Sequence, residues 1–359
     1  MVEPSKDFVE LTRKYICIKV TDMRDHDINN MRFDFGLTFF MILAHPKGRI
    51  YHRYGGRDGR DPLSWLSVSS LERTLEKTLE EHERYVAGGG KGRPDKVLPR
   101  KTIFDIPVFA RQWKRRKRKP DCIQCHVVNS AIRDQLAAEN KLRKDMIFRY
   151  PPPAKIGLTM NPIDQDLIHK IKKDSIAAKA GLRKGDRLTQ IGKTRILTIA
   201  DIQWALQQPP RRRTTLPIRF VREGKPASGT LLLEKGWQIG TPEEVAWRPW
   251  KWGLSPKPGF GGVAIDAKEK ALLGIDPKTF AFRVNYLVTW GPFAYTGKNA
   301  ARAGLRKGDI VVSVAGKNDF HSVADFHAWF RLTQKPGTKI QLQIRRNKKL
   351  IPLELPVLK

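Results

Sequence analysis

A ten-residue stretch occurs twice in this chain. Residues 177–186 read AAKAGLRKGD and residues 300–309 read AARAGLRKGD, so a single position differs, Lys179 against Arg302. A match this close marks a duplicated structural unit, which constrains the fold more than any other feature of the sequence. Ala177, Ala178 and Ala180 make a short helical turn of small residues. Gly181 stops it, where a left-handed backbone favours glycine. Leu182 anchors the turn to a core, and residues 183–186, RKGD, form a tight polar turn in which Gly185 is free to take a positive φ.

The two copies also share the order of elements downstream of this stretch. Residues 187–191 (RLTQI) and 310–314 (IVVSV) read as strands, closed by Gly192 and Gly316. A helix opens at 199–204 (IADIQW) and at 323–328 (VADFHA), and a late strand comes next at 217–222 (PIRFVR) and 340–345 (IQLQIR). This order resembles the PDZ domain in its bacterial arrangement, over residues 150–235 and 255–359. The resemblance implies partly open β-barrels that bind protein C-termini or extended peptides. Lys155, Ile156, Gly157 and Leu158 then read as a carboxylate-binding loop. Its amides grip a peptide terminus, Lys155 assists, and the peptide adds as a strand; an ordinary first strand is the alternative. The helix at 199–207 forms the other groove wall. In the second copy residues 261–265 (GGVAI) take the loop's place. A long insert at 266–292 marks that copy as a structural or docking one. Trp237, Trp247, Trp250 and Trp252, between the copies, read as packing that fixes the modules, with a ligand surface as the alternative.

Ahead of the repeats, residues 7–13 have a helical pattern and residues 15–20 (YICIKV) read as a strand. Residues 37–45 (LTFFMILAH) and 48–54 (GRIYHRY) read as a hairpin around Pro46, Lys47 and Gly48. A helix comes next, opened by Ser69 and Ser70, with Leu71, Leu75 and Leu79 at four-residue spacing and Ser69 with Glu72 as a capping box. This order is similar to the later part of a thioredoxin fold. It departs from that family in two places: nothing upstream of Cys17 supplies its CxxC, and Leu37 stands where a cis-proline is usual. Cys17 reads as a small buried hydrophobe. The whole order resembles the thioredoxin-like/PDZ domain-containing (seleno)protein family of bacteria. That resemblance implies a chain that begins inside its own gene, a selenocysteine codon upstream having been read as a stop.

Residues 88–94 form a glycine-rich linker. A basic run with one tryptophan, residues 111–120 (RQWKRRKRKP), leads directly into Cys122-Ile123-Gln124-Cys125-His126. C-x-x-C-H is the spacing for covalent haem c attachment, in which two thiols bond the vinyl groups and His126 ligates the iron. Met146 is the candidate sixth ligand, with Met160, His52 and His169 behind it. The other readings of the motif are a redox dithiol, a zinc site short of a fourth ligand, and a plain structural turn.

With 68 Lys and Arg against 36 Asp and Glu, the formal charge is +32, which favours acidic partners. No nucleic-acid motif accompanies it, so the basic run reads as a solvated segment that steers an acidic redox partner, with a nucleic-acid or targeting patch as the alternative. Three cysteines make no disulfide framework. No run of 18 apolar residues predicts a transmembrane helix, and the first residues are not a secretory signal. No G-x-S-x-G or other catalytic constellation occurs.

The expected organisation is an α+β multidomain chain: an incomplete thioredoxin-like α/β domain (1–87), a small helical CxxCH segment (88–149), a PDZ-like domain (150–235), a Trp-rich linker (236–254) and a second PDZ-like domain (255–359). The expected function is a redox-associated binding or scaffold protein of the cell envelope or periplasm, with one haem c; the location would be cytoplasmic were the chain complete. The alternative is a thiol–disulfide (seleno)oxidoreductase whose catalytic motif lies upstream.

Overall fold

The computed structural model describes residues 5–37, 39–57, 61, 63–90, 97–143, 146, 148–210, 212–239 and 254–358. The chain forms two compact units, one of residues up to 141 with 149–238, the other of residues 142–148 with 239–359. Of the inter-repeat tryptophans, Trp247, Trp250 and Trp252 lie outside the described residues, and Trp237 packs against the core of the first repeat.

The first unit opens with α1 (Lys6–Arg13), capped by Ser5, whose Oγ accepts from the Phe8 N–H at 3.1 Å. The antiparallel hairpin β1 (Met41–Ala44) and β2 (Ile50–Tyr54) pairs Met41 with Tyr54. Helix α2 (Val68–Ala87) comes next and packs against both β2 and α1. Its N-cap is Ser67, not Ser69: the Ser67 Oγ accepts from the Ser70 N–H at 3.1 Å. Ser70 lies inside the first turn, fully buried, with its hydroxyl 2.6 Å from that of Tyr54.

The strand expected at residues 15–20 does not form. No described strand lies beside it to pair with, so its alternate apolar residues find no face to bury. Ile16 and Ile18 are 86% and 82% exposed, and Cys17 is exposed, not buried. The four-residue β1 also replaces the longer strand expected at 37–45.

Two further helices, α3 (Pro107–Arg115) and α4 (Cys125–Ala138), close over a separate apolar core of Met23, Ile28, Phe35, Ile103, Phe109, Ile123 and Val128. Proline at the first position of α3 leaves no helical hydrogen bond unmade there.

The first repeat has β3 (Leu158–Met160) paired with β4 (Ile168–Ile171), then the short α5 (Ile176–Lys179), β5 (Arg187–Ile191), β6 (Thr194–Arg195), α6 (Ile199–Gln207), β7 (Thr214–Arg222) and β8 (Lys225–Leu233). The last four strands form one sheet in the order β6-β5-β7-β8. The second repeat has β9 (Phe260–Ala264), α7 (Ala267–Leu272), β10 (Phe282–Leu287), α8 (Ala294–Arg302), β11 (Ile310–Val314), α9 (Val323–Thr333), β12 (Lys339–Arg346) and β13 (Lys349–Pro356). Its sheet runs β13-β12-β11-β10-β9. These sheets stay open, as a partly open barrel requires.

The duplicated stretch owes its sequence to one carboxylate. Asp186 is 1% exposed; its Oδ2 accepts from the Arg183 N–H at 2.7 Å, and Arg222 of β7 donates to both oxygens at 2.8 Å. The same guanidinium reaches the Gly181 carbonyl at 2.7 Å. The second repeat reproduces each bond: Arg306 N–H to Asp309 at 2.8 Å, and Arg346 to Asp309 and to the Gly304 carbonyl at 2.7 Å. A bidentate Arg–carboxylate pair thus ties the AGLRKGD turn to the late strand in both copies. It also corrects the strand alignment, since Arg222 corresponds to Arg346 and not to Arg345.

Candidate peptide-binding grooves and the CxxCH turn

In the first repeat Pro153–Ile156 form a 3₁₀ turn that ends at Gly157 with φ +88°, and β3 starts at the next residue. The Gly157 carbonyl accepts from the Lys172 N–H at 2.9 Å. A Cβ on Gly157 would lie 2.2 Å from the Cβ of Ser175, the N-cap of α5, so both the φ and the close approach demand glycine. The predicted residues Lys155, Ile156, Gly157 and Leu158 are therefore one continuous loop at the head of a strand, with Ile156 and Leu158 buried in the core.

The second repeat carries the same loop, four residues before the place the sequence suggests. Gly259 has φ +83°, its carbonyl accepts from the Val288 N–H at 2.8 Å, and a Cβ there would meet the Thr296 carbonyl oxygen at 2.2 Å. Lys257, Pro258, Gly259 and Phe260 thus answer to Lys155, Ile156, Gly157 and Leu158, and residues 261–264 belong to β9. Two signals conceal this: Pro258 replaces the first apolar residue, and Gly261-Gly262 offers a false match. Gly262 is needed for another reason, since a Cβ there would run into the Arg283 backbone of β10. The supposed insert is also smaller than it looks, because β10 is the counterpart of β4 and α7 is the added piece.

Each loop leads into a strand with one edge unoccupied by any described strand: β3 pairs only with β4, and β9 ends its sheet. The helices α6 and α9 are the second walls; α9 packs against β9. Both helices start from a hydroxyl cap, Thr198 to the Asp201 N–H at 3.2 Å and Ser322 to the Asp325 N–H at 3.1 Å. A terminal carboxylate at the loop amides and a strand on the free edge is the chemistry this arrangement offers.

The first groove is approached from within its own unit. Asp201 Oδ1 accepts from the Arg53 N–H at 2.9 Å, and its Oδ2 lies 2.9 Å from His52 Nδ1. The other ring nitrogen of His52 faces Glu81 at 3.1 Å, and Glu81 also meets Arg195 at 2.5 Å. Burial alone would lower the His52 pKa, but the Asp201 and Glu81 carboxylates overcome it and raise it to about 9. Glu81, which burial would raise, is held below its ordinary value by His52 and Arg195. Sequence reasoning placed His52 only as a fallback iron ligand; here it is a buried imidazolium between two acids.

Of the CxxCH residues, Cys122 and His126 are exposed, Ile123 is buried in the α3–α4 core, and Cys125 opens α4 with its thiol 3.4 Å from the Leu37 carbonyl. Burial raises the Cys125 thiol pKa. Among the described residues no cluster of three or more His, Cys, Asp or Glu could hold a metal ion. An open cavity of about 500 Å³ adjoins the turn, lined by Arg24, Phe104, Trp113, Lys119, Pro120 and Asp121. Arg24 and Lys119 each lie 6.0 Å from the Trp113 ring centroid. Arg24 is ion-paired with Asp22 at 3.3 Å and donates to the Pro120 and Asp121 carbonyls, while Cys122 and His126 stand exposed beside the cavity. Cys122, Cys125 and His126 are not among the residues that line this cavity, and the Cys125 thiol is turned to the Leu37 carbonyl. Met146 belongs to the other compact unit.

Residues 167–219 and 296–357 each match a family model described as PDZ domain. The chain carries two PDZ domains. The first match begins after the Gly157 loop, so that loop rests on its geometry. Among solved structures, the chain is similar to the HtrA-type protease AlgW with decapeptide, at 14% identity and a TM-score of 0.23 over 48% of this chain and 54% of that one. It is similar also to AlgW with tripeptide, at 14% identity and a TM-score of 0.24 over 49% and 53%. The chain spans about half the length of the solved structures it matches. No curated protein matches it. No helix among the described residues is long and apolar enough to cross a membrane.

Proposed function

We propose that this chain is a peptide-binding scaffold whose PDZ domains take protein C-termini or extended peptides on the free edges of β3 and β9. The observation that carries this reading is the repeated loop, Lys155-Ile156-Gly157-Leu158 and Lys257-Pro258-Gly259-Phe260. In each copy a left-handed glycine turns the backbone at the head of an edge strand. Binding of a fluorescein-labelled pool of decapeptides with free apolar C-termini tests it by anisotropy. Amidated peptides of the same pool are expected to bind at least tenfold more weakly, and equal binding of both pools would overturn the reading.

The CxxCH turn adds a redox partner to this scaffold in the cell envelope. Haem c would be held by Cys122, Cys125 and His126, and bound haem supplies one-electron transfer. The +32 charge favours an acidic redox protein as the partner. A pyridine haemochrome spectrum after expression with a cytochrome c maturation system tests the attachment, and a signal unchanged in Cys122→Ala would refute it. The dithiol reading has its own support, an exposed Cys122 three residues before a half-buried Cys125. It extends to a thiol–disulfide oxidoreductase of thioredoxin type.

A further inference from the structure

We infer that the first PDZ groove already holds a ligand, the chain's own segment that includes Arg53–Arg57 and Trp65. The inference rests on the peptide-groove reading. The groove of this domain lies between β3 and α6. Ile199 and Gln203, one turn apart, share a side of α6, and both are buried.

Gln203 treats the segment as it would a peptide backbone. Its Oε1 accepts from the Arg57 N–H at 3.2 Å, and its Nε2 donates to the Arg57 carbonyl at 2.9 Å. Trp65 enters farther along. It is 8% exposed and joins the buried cluster that holds Leu158 and Met160 of β3 with Ile199 and Ile202 of α6. Its carbonyl accepts from Gln165 Nε2 at 3.0 Å, and Gln165 Oε1 accepts from the Ile199 N–H at 3.1 Å. One glutamine thus joins Trp65 to the first turn of α6. The remaining buried members of that cluster all come from residues 156–233.

The second domain provides the comparison. Its core cluster draws all its members from residues 260–357, and among the described residues it takes in no tryptophan from outside the repeat. Anchors flank the segment in the first domain. His52 and the Arg53 N–H hold Asp201, and Arg73 of α2 meets Asp164 at 2.7 Å. A tethered ligand acts at millimolar effective concentration, so an outside peptide must displace it.

Photo-crosslinking tests this on the full chain. The probe is a benzophenone-labelled pool of decapeptides with free apolar C-termini, its attachment sites mapped by mass spectrometry. In the wild type, crosslinks are expected at residues 257–264 and 323–333. Trp65→Ala is expected to raise crosslinking at 155–160 and 199–207 at least tenfold, Trp65→Phe to leave it near the wild-type level, and Glu81→Gln, which loosens an anchor and keeps the groove walls, to give a smaller rise. Wild-type crosslinking at 155–160 as strong as in Trp65→Ala would overturn the inference. Absence of crosslinks from both domains in every variant would sink the peptide reading, and the occupant is then judged by amide hydrogen exchange. Trp65→Ala must speed exchange at 158–160 and 199–203 while Trp65→Phe does not; unchanged exchange overturns the inference by itself.

Discussion

Replacing His52 by glutamine separates the charge of the buried imidazolium from its shape. In the folded chain the His52 pKa stands at about 9 against an ordinary 6.5, with Asp201 and Glu81 on its two nitrogens. A raised pKa means the folded state holds a proton that the unfolded state has released. The resulting stability is fully present below about pH 6.5 and is lost as pH rises through about 9. A shift from 6.5 to about 9 corresponds to about 3 kcal/mol. Urea unfolding at pH 6, 8 and 10, read by circular dichroism, is the assay. The wild type should exceed His52→Gln by about 3 kcal/mol at pH 6, by less at pH 8, and by little at pH 10. The difference between proteins cancels the titration of the lysines and tyrosines they share. A gap that stays constant from pH 6 to pH 10, or widens, would show that His52 is neutral in the fold and that the reasoning is wrong.

Asp186→Ala and Asp309→Ala each remove a buried carboxylate that accepts from a turn amide and a guanidinium, so each should cost roughly 2–4 kcal/mol in thermal or urea unfolding. The two losses should add, since they fall in separate compact units. Gly157→Ala and Gly259→Ala place a Cβ in contact with Ser175 or the Thr296 carbonyl at a positive φ. Each should lower stability by about 1–3 kcal/mol in urea melts, and Gly259→Ala should also weaken peptide capture by the second domain at least tenfold, measured by anisotropy. Ile18→Lys should change stability by less than about 0.5 kcal/mol, because the side chain is exposed; a large loss would show that residues 15–20 are packed in solution.

The repeats were legible because one stretch is nearly invariant between them, and that stretch is held by local bonds: a helical turn, a glycine stop and an aspartate on its own turn amide. The hairpin and α2 were legible from period and spacing, though β1 starts four residues after the expected strand and the α2 cap moves two residues back to Ser67. Ser67 was missed because the choice among three nearby serines depends on which is buried, and Tyr54 decides that through Ser70. The second carboxylate loop was missed because its identity lies in the φ of Gly259 and the carbonyl bond to Val288, not in an apolar pattern. The strand at 15–20 has all the alternation a strand needs, yet pairing is supplied by a neighbour and not by the segment. The docking of His52 on Asp201 spans 149 residues. Neither residue type nor spacing announces it, because an aspartate three residues into a helix reads fully as part of a cap.

That second use of a capping residue explains how the first domain takes hold of another segment. Asp201 and Asp325 occupy the same position, and in each the backbone N–H binds the cap hydroxyl. Asp325 accepts from the His321 N–H at 3.0 Å, within its own turn. Asp201 does the equivalent for Leu197 at 3.2 Å and in addition receives the Arg53 N–H and His52. A carboxylate has about four acceptor directions, and a cap uses only some of them. The rest, buried at the end of a helix, form a ready site for a cation and an amide from another segment. Asp201→Asn keeps an acceptor for the turn amides but removes the charge that raises His52. The His52 pKa, followed by its ring-proton NMR shift, should therefore fall from about 9 toward its ordinary value, and crosslinking at 155–160 should rise. Asp325→Asn should do neither. If His52 titrates unchanged in Asp201→Asn, Glu81 alone sustains the imidazolium, and the cap is a support for the segment and not its lock.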